Sequence, residues 1–237
     1  MATVNTESLD VVDFHSHILP CVDHGSDSLE TSLKQVEYAR LNGVSRIIAT
    51  PHFYPHKHLI DDFLKRREQG YQVLSNAISS SDVEIRIGAE LLVCENVFRM
   101  PGIEKLCING TNTLLLELPM VKLEIRHYNM VKDVIKAGFD VVIAHVDRYA
   151  PKFIDSLTDL GIGFQLNASA MRRLIKTSRL TKWLKERRIY ALGSDVHGNL
   201  PTAYNNFAFA KSKLSDYLGD IKNHSDRIWS ASTKYEF

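Results

Sequence analysis

Six of the ten histidines in this chain, His15, His17, His24, His52, His145 and His197, fall at or just after short apolar runs, and so do the carboxylates Glu90, Glu117 and Asp195. Imidazoles and carboxylates are ligands for divalent cations. Residues two apart on a strand point to the same side, so His15 and His17 can present two imidazoles to one ion. Such a pair alone is as often a packing or surface feature. Joined by Glu90, Glu117, His145, Asp195 and His197 it points to a metal cluster, because cations offset the repulsion among the acids. A bridging carboxylate can hold two ions about 3.5–4 Å apart. Chemistry of this kind is hydrolysis by a metal-activated hydroxide. Asp13 and Asp23 are read either as partners that orient ligand histidines or as strand-end caps.

For residues so far apart in sequence to meet, the chain must bring strand ends together. Short, mostly continuous apolar runs at Val11–Phe14, Ser45–Ala49, Val83–Gly88, Thr113–Leu118, Val141–Ala144, Gly163–Leu166 and Ile189–Leu192 predict parallel strands covered on both faces. Between them, helical periodicity predicts helices over Leu29–Leu41 (capped by Asp27 or Ser28 and stopped by Gly43), Leu59–Ile78, Leu123–Ala137, Pro151–Leu160, Met171–Arg187 and Thr202–Leu218. This βα rhythm without a linker predicts one domain over residues 1–237, an α/β barrel whose strand ends converge on one face.

Composition sets limits. The 237 residues are 44% hydrophobic and 24% charged with a net charge of +1, as in an ordinary globular chain, and nothing favours a nucleic-acid partner. No run approaches the roughly 20 apolar residues of a membrane span, and Met1–Asp10 lacks the basic and apolar regions of a signal peptide, so a cytoplasmic protein without membrane insertion is expected. Cys21, Cys94 and Cys107 have no CxxC spacing, which argues against a disulfide framework or a thiolate metal site. Cys94 and Arg99 are separated by four residues, one short of the Cys-x5-Arg spacing of cysteine phosphatases.

Several stretches carry a family resemblance: Asp13-Phe14-His15-Ser16-His17-Ile18-Leu19-Pro20 with Asp23-His24-Gly25, Ala49-Thr50-Pro51-His52, Gly88-Ala89-Glu90, Leu115-Leu116-Glu117-Leu118-Pro119, Ala144-His145 with Arg148-Tyr149, and Gly193-Ser194-Asp195-Val196-His197. The sequence resembles the PHP (polymerase and histidinol phosphatase) superfamily, and within it the manganese-dependent protein-tyrosine phosphatases of bacterial capsule and exopolysaccharide loci. That resemblance implies a distorted (β/α)7 TIM-like barrel holding two or three divalent ions, Mn first, with Fe or Zn as alternatives. One ion would take His15, His17, Glu90 and Asp195. A second would share Glu90 and add Glu117 and His145, and a third would take His24, His52 and His197. Arg148 matches a phosphate-binding arginine of the family.

Two positions depart from the family pattern. His24 stands where the capsule phosphatases usually carry the second Asp of Asp-Asp-Gly, although other PHP proteins have a histidine there. The segment Gly198–Tyr204 lacks the arginine that often follows the Ser-Asp-x-His motif. The implied reaction is phosphomonoester hydrolysis with Asp195 and Arg148 as catalytic residues, Asp195 or a nearby histidine being the proton donor. The implied partner is a phosphotyrosine protein, a bacterial tyrosine kinase with a Tyr-rich tail. Arg148, Phe53 and Tyr54 are the expected substrate contacts, and Asn167, at a strand end, reads as a contact to substrate or to water. His56 and His58 read as solvated loop residues, and Arg172–Arg188 as the charged face of a helix. Other readings are a different PHP phosphoesterase acting on histidinol phosphate or a small sugar or nucleotide phosphate, an amidohydrolase, and a non-catalytic metal-stabilised regulator. The amidohydrolase would need a histidine where Asn167 stands.

Overall fold

The computed structural model describes residues 10–78, 83–174 and 178–233. Among them lie nine strands: β1 (Asp13–Ser16), β2 (Arg46–Ala49), β3 (His52–Phe53), β4 (Glu84–Ile87), β5 (Glu90–Leu92), β6 (Thr113–Glu117), β7 (Asp140–Ile143), β8 (Gly163–Asn167) and β9 (Ile189–Gly193). All pair in parallel, in the order β3-β5-β6-β7-β8-β9-β1-β2-β4. The seven expected strands account for all but β3 and β5, and these two are continuations. β3 follows β2 after Thr50-Pro51, and β5 follows β4 after Gly88-Ala89. Proline has no N–H for a ladder and cannot sit inside a central strand. The β2/β3 strand therefore breaks at Pro51, and its partner breaks beside it. β2 pairs with β4, β3 with β5, and β5 with β6. The two ends of the sheet order are thus halves of the same two kinked strands, and the sheet curls round as a distorted barrel.

Helices cover the outer face, α1 (Leu29–Leu41), α2 (Ile60–Ala77), α3 (Ile125–Lys136), α4 (Pro151–Leu157), α5 (Met171–Leu174), α6 (Ser178–Lys185) and α7 (Thr202–Lys213), and α8 (Leu218–Ala231) lies across one end of the sheet. α1 begins as its sequence predicts, with the Ser28 hydroxyl accepting from Thr31 N–H at 3.2 Å and Glu30 in the first turn. The predicted helix over Met171–Arg187 is α5 and α6, with residues 175–177 outside the described set. The one predicted over Thr202–Leu218 ends at Lys213, and α8 beyond it was not expected.

Helix α8 closes the barrel floor. Its Trp229 packs with Phe14, Ile48, Leu115, Val142 and Ala191, the inward-facing strand residues, and Arg86 lies 4.8 Å from its ring centre. Full burial of one such aromatic contributes about 1.5–3 kcal/mol. Outward-facing strand residues such as Ile47, Leu114, Leu116, Ile143 and Leu192 belong to the larger core under the helices. On β6 the inward row changes from apolar to polar toward the C-terminal end, Leu115 being followed by Glu117, and on β8 two polar residues, Gln165 and Asn167, take successive inward positions. Period-two geometry thus carries the core row directly into the site. Among the described residues no helix is long and apolar enough to cross a membrane.

Candidate metal centre

His15 and His17 reach the mouth of the barrel through an irregularity in β1. Asp13 is in register with Ile47 and Ser16 with Ala49, so three steps on β1 match two on β2. A bulge of this kind re-aims a side chain. Phe14 can then fill the barrel while its neighbour His15 points into the mouth. There, His15 Nε2 lies 3.1 Å from His17 Nε2 and 3.1 Å from Glu90 Oε2, and His17 Nε2 lies 3.3 Å from the same oxygen. Asp195 Oδ1 is 3.7 and 3.5 Å from the two nitrogens. Four tetrahedral donors at about 2.1 Å from a cation stand roughly 3.4 Å apart, and these five separations bracket that value.

Glu90 faces two ways. Its Oε2 turns to His15, His17 and His52 (Nδ1 at 2.8 Å), while Oε1 is 2.7 Å from His145 Nε2. Glu117 completes the second side, Oε1 3.8 Å from His145 Nε2 and Oε2 3.8 Å from His52 Nδ1. On a third side the rings of His17 and His197 are 4.1 Å apart, and those of His17 and His52 4.4 Å. Three donor triads result: His15, His17 and Asp195; His52, Glu90 and Glu117; and His17, His52 and His197. They form without His24, which is exposed, although its ring stacks 4.8 Å from His52 and lies 4.7 Å from His197.

A cation fits this donor set better than hydrogen bonds do. His52 Nδ1, Glu90 Oε2, Glu117 Oε2 and His197 Nε2 are all buried without a hydrogen-bond partner. Four orphaned polar atoms in one cluster would be costly in a folded protein. His52 Nδ1 and Glu90 Oε2, 2.8 Å apart, are close enough to bond but not aligned to do so, as when two lone pairs aim at a third point. The protons on His15 and His17 are assigned by neighbours. Gln165 Oε1 accepts from His145 N–H at 2.7 Å and therefore accepts from His15 Nδ1 at 3.0 Å as well. Asp23 Oδ2 takes His17 Nδ1 at 2.7 Å. Both imidazoles thus present Nε2 to the cluster, where two lone pairs would repel at 3.1 Å unless a proton or a cation lay between them.

Electrostatics agree. Burial would raise the pKa of Glu90, but the charge of His15 and the imidazoles of His145, His15 and His17 close around it hold it well below the ordinary carboxylate range. Burial, reinforced by the charge of Glu90, pushes Glu117 up to about 7. Burial opposes charge on His15 and His17, yet Glu90 and Asp195 raise the first, and hydrogen bonds to Asp195 and Asp23 hold the second well above its usual value. His197 is pushed down to about 4 by burial and by His17. A chain of hydrogen bonds runs on from Gln165 to the far side of the site: Gln165 Nε2 donates to Asn167 Oδ1 (3.0 Å), and Asn167 Nδ2 donates to Asp195 Oδ2 (2.9 Å). Arg148, exposed, donates to the same oxygen. Burial notwithstanding, His15, His17 and Arg148 hold Asp195 far below the ordinary range.

Two strained backbone positions lie here as well. His145 (φ 32°) and Asp195 (φ 50°) occupy the left-handed region, which costs a non-glycine residue about 1–3 kcal/mol and persists where the surroundings enforce it. Asp13 does not touch an imidazole. Buried at the junction of β1 and β9, it accepts from Ser194 N–H (2.8 Å) and the Tyr204 hydroxyl (2.9 Å), so it clasps strand ends.

The expected substrate residues divide. Phe53 is fully buried and packs edge-on against Phe63 at 5.0 Å. It points outward from β3 into the helix-covered core and cannot meet a substrate, which corrects the expectation drawn from its loop position. Tyr54 is half-buried and lies 5.1 Å from the His52 ring. His58 Nδ1 accepts from Tyr54 N–H at 3.1 Å and so ties down the loop.

A family profile for capsular polysaccharide synthesis, CpsB/CapC, matches residues 11–211. The tyrosine-protein phosphatase CpsB of Streptococcus pneumoniae is 26% identical over 203 residues, 78% of this chain and 79% of that one. The tyrosine-protein phosphatase YwqE of Bacillus subtilis is 24% identical over 201 residues, covering 79% and 77%. A solved structure from work on YwqE and CpsB, described as unique metal-dependent tyrosine phosphatases, shares the fold with a TM-score of 0.71 at 19% identity, covering 95% of this chain and 96% of that one.

Proposed function

This chain belongs to the CpsB/CapC capsular polysaccharide synthesis family, and from that membership we propose that it is a metal-dependent phosphomonoester hydrolase acting on phosphotyrosine in a protein. The observation that carries the reading is Glu90, whose two oxygens face two separate groups of imidazoles, with Arg148 poised on Asp195 at the edge of the cluster. His15, His17, Glu90 and Asp195 would hold one ion. Glu90, Glu117 and His145, with His52 alongside, would hold a second, and His52 and His197 with His24 nearby a third. Bound divalent cations supply Lewis acidity and make hydroxide available near neutral pH.

The protein's own part is to bind and to orient. The Arg148 guanidinium presents a planar fork of donors to phosphate oxygens. Asn167 and Gln165 hold Asp195 and His15 in fixed rotamers. Because Asp195 is kept ionised, it serves as ligand and anchor of Arg148 rather than as a proton donor. Leaving groups that depart as anions suit such a site, and a phenol of pKa about 10 meets that requirement better than an alkyl alcohol.

Carboxylates among the donors favour Mn over softer ions, and the imidazoles leave Fe and Zn as alternatives. The CpsB and YwqE relatives carry the name tyrosine-protein phosphatase. In line with it, the substrate would be the Tyr-rich tail of a bacterial tyrosine kinase, met in the cytoplasm. The decisive experiment compares a phosphotyrosine peptide, histidinol phosphate and p-nitrophenyl phosphate on chelated and Mn-reloaded enzyme. Turnover of the peptide that disappears with chelator and returns with Mn supports the reading. Chelator-insensitive turnover, or preference for histidinol phosphate, overturns it.

A further inference from the structure

Beyond Arg148 the surface stops being polar. Of the large hydrophobic residues exposed among the described residues, three crowd into six positions, Met120 (67% exposed), Val121 (58%) and Ile125 (72%). With Tyr128, Phe153 and Arg148 they line a groove of about 790 Å³. Exposed apolar surface gathered in one place and rimmed by charge marks a binding site.

We propose that this groove is the subsite for apolar side chains flanking the phosphorylated residue of a peptide, an inference that rests on the phosphatase reading above. Continuity with the metal centre is the first reason. Arg148 belongs to both, donating to Asp195 on one side and lining the groove on the other. Its neighbour Tyr149 packs 5.5 Å from the His145 ring, and its hydroxyl binds Leu118 next to Glu117. The second reason is length. One wall runs along α4, whose seven residues span about 10 Å at 1.5 Å each. That is the reach of roughly three extended residues at about 3.3 Å. Charge is the third. The rim carries Arg148, Lys122 and Lys152 against Glu124 and Asp159, a balance that favours an anionic phosphopeptide.

The walls are also held in shape before anything binds. Glu124 N–H donates to His127 Nδ1 at 2.9 Å and starts α3, while Tyr149 fixes the loop after β6. A preformed groove orders the peptide at lower entropic cost.

The test uses metal-loaded full-length protein and two fluorescent peptides carrying a non-hydrolysable phosphonate mimic of phosphotyrosine. They differ only in three flanking residues, Leu-Ile-Val or Ser-Asn-Gly, placed on each side in turn. Fluorescence anisotropy should show the apolar peptide binding about tenfold tighter or more in one of the two placements. Ile125→Asp combined with Met120→Lys should bring the ratio toward one. Leu41→Asp, at an exposed apolar residue elsewhere, should leave it unchanged. Equal affinities in the unmodified protein, or no binding of either peptide, overturn the groove. So does concentration-dependent dimerisation in sedimentation that Ile125→Asp abolishes, because the occupant is then a second copy. Hydrolysis of p-nitrophenyl phosphate is measured in parallel. Turnover without peptide discrimination removes the groove alone, and discrimination without turnover removes the phosphatase reading alone.

Discussion

Gly193 lies directly beneath His15: a Cβ built on it would stand 2.6 Å from the His15 Cβ and 2.6 Å from Gln165 Nε2. The last inward position of β9 is therefore vacant of side chain so that the first imidazole of the cluster and the amide that orients it can share the space.

Gly193→Ala should accordingly push His15 and Gln165 out of place. Overpacking of a filled site costs about 1–3 kcal/mol, and elemental analysis should show less metal per chain. Gly219→Ala, in α8 where an added Cβ meets nothing within 4 Å, should leave metal content within error and hold or slightly raise the melting temperature. Equal metal content in the two variants would show that the cluster does not depend on this packing.

Removal of metal should lower stability while leaving the barrel folded. Ligand binding to the native state alone contributes about 2.7 kcal/mol at 100 times Kd. The apolar interior around Phe14 and Trp229 lies below the cluster and does not use it. Chelation is expected to lower the melting temperature by several degrees with little change in far-ultraviolet circular dichroism. Collapse of the far-ultraviolet signal would mean that the cations hold the fold itself together.

Loading the cluster should release protons. In the metal-free protein the acids raise His15 and His17, and Glu117 stands at about 7. These groups carry protons near neutrality that a cation must displace. Apparent affinity should therefore rise with pH and level off once all three are deprotonated. His197, at about 4, is already neutral there and adds no slope. Calorimetry at pH 7 in buffers of different ionisation enthalpy measures the protons released, and a buffer-independent enthalpy would refute the protonation assignment.

Asp23→Ala should weaken metal binding by about 10–100-fold although Asp23 belongs to none of the donor triads. Its carboxylate sets the proton of His17 at 2.7 Å and accepts from His52 N–H at 2.9 Å and Gly25 N–H at 2.8 Å. Competition with a chelating dye reads the affinity directly, and an unchanged value would reduce Asp23 to a loop staple.

Arg148→Lys should lose most activity despite keeping its charge, because a single ammonium cannot reproduce a planar two-pronged donor. A drop of about 10²–10³ in kcat/KM is expected by analogy with loss of one transition-state donor. Its pair with Asp195 is exposed on the arginine side, and such pairs contribute about 0–1 kcal/mol, so the melting temperature should barely move. Wild-type kcat/KM in the lysine variant would assign phosphate binding elsewhere.

Much of this architecture was legible from residues alone. The seven apolar runs mark the barrel strands, and the histidines and acids placed at their ends are the groups that gather in the mouth. What escaped has identifiable causes. Gln165 reads as an odd polar residue within an apolar run, and only the curled sheet shows that an inward position on β8 must hydrogen-bond two neighbours at once. Phe53 sits in a segment that reads as a loop, but β3 continues β2 past Pro51 and turns the ring outward under α2. Helix α8 lies beyond the last strand, where no following strand end brackets it, and its packing against the barrel floor is a long-range fact. His24 stands at the position where the family pattern wants a ligand, yet the triads close without it.

Asp195 also acts as a ruler. One of its oxygens faces the imidazoles and the other holds Arg148 and Asn167, so the gap between the cation pole and the guanidinium is set by the width of a single carboxylate. A small tetrahedral oxyanion with suitably spaced oxygens would span that gap whatever its ester group. The cluster gauges the anion, and its choice among esters must be made by surface outside it.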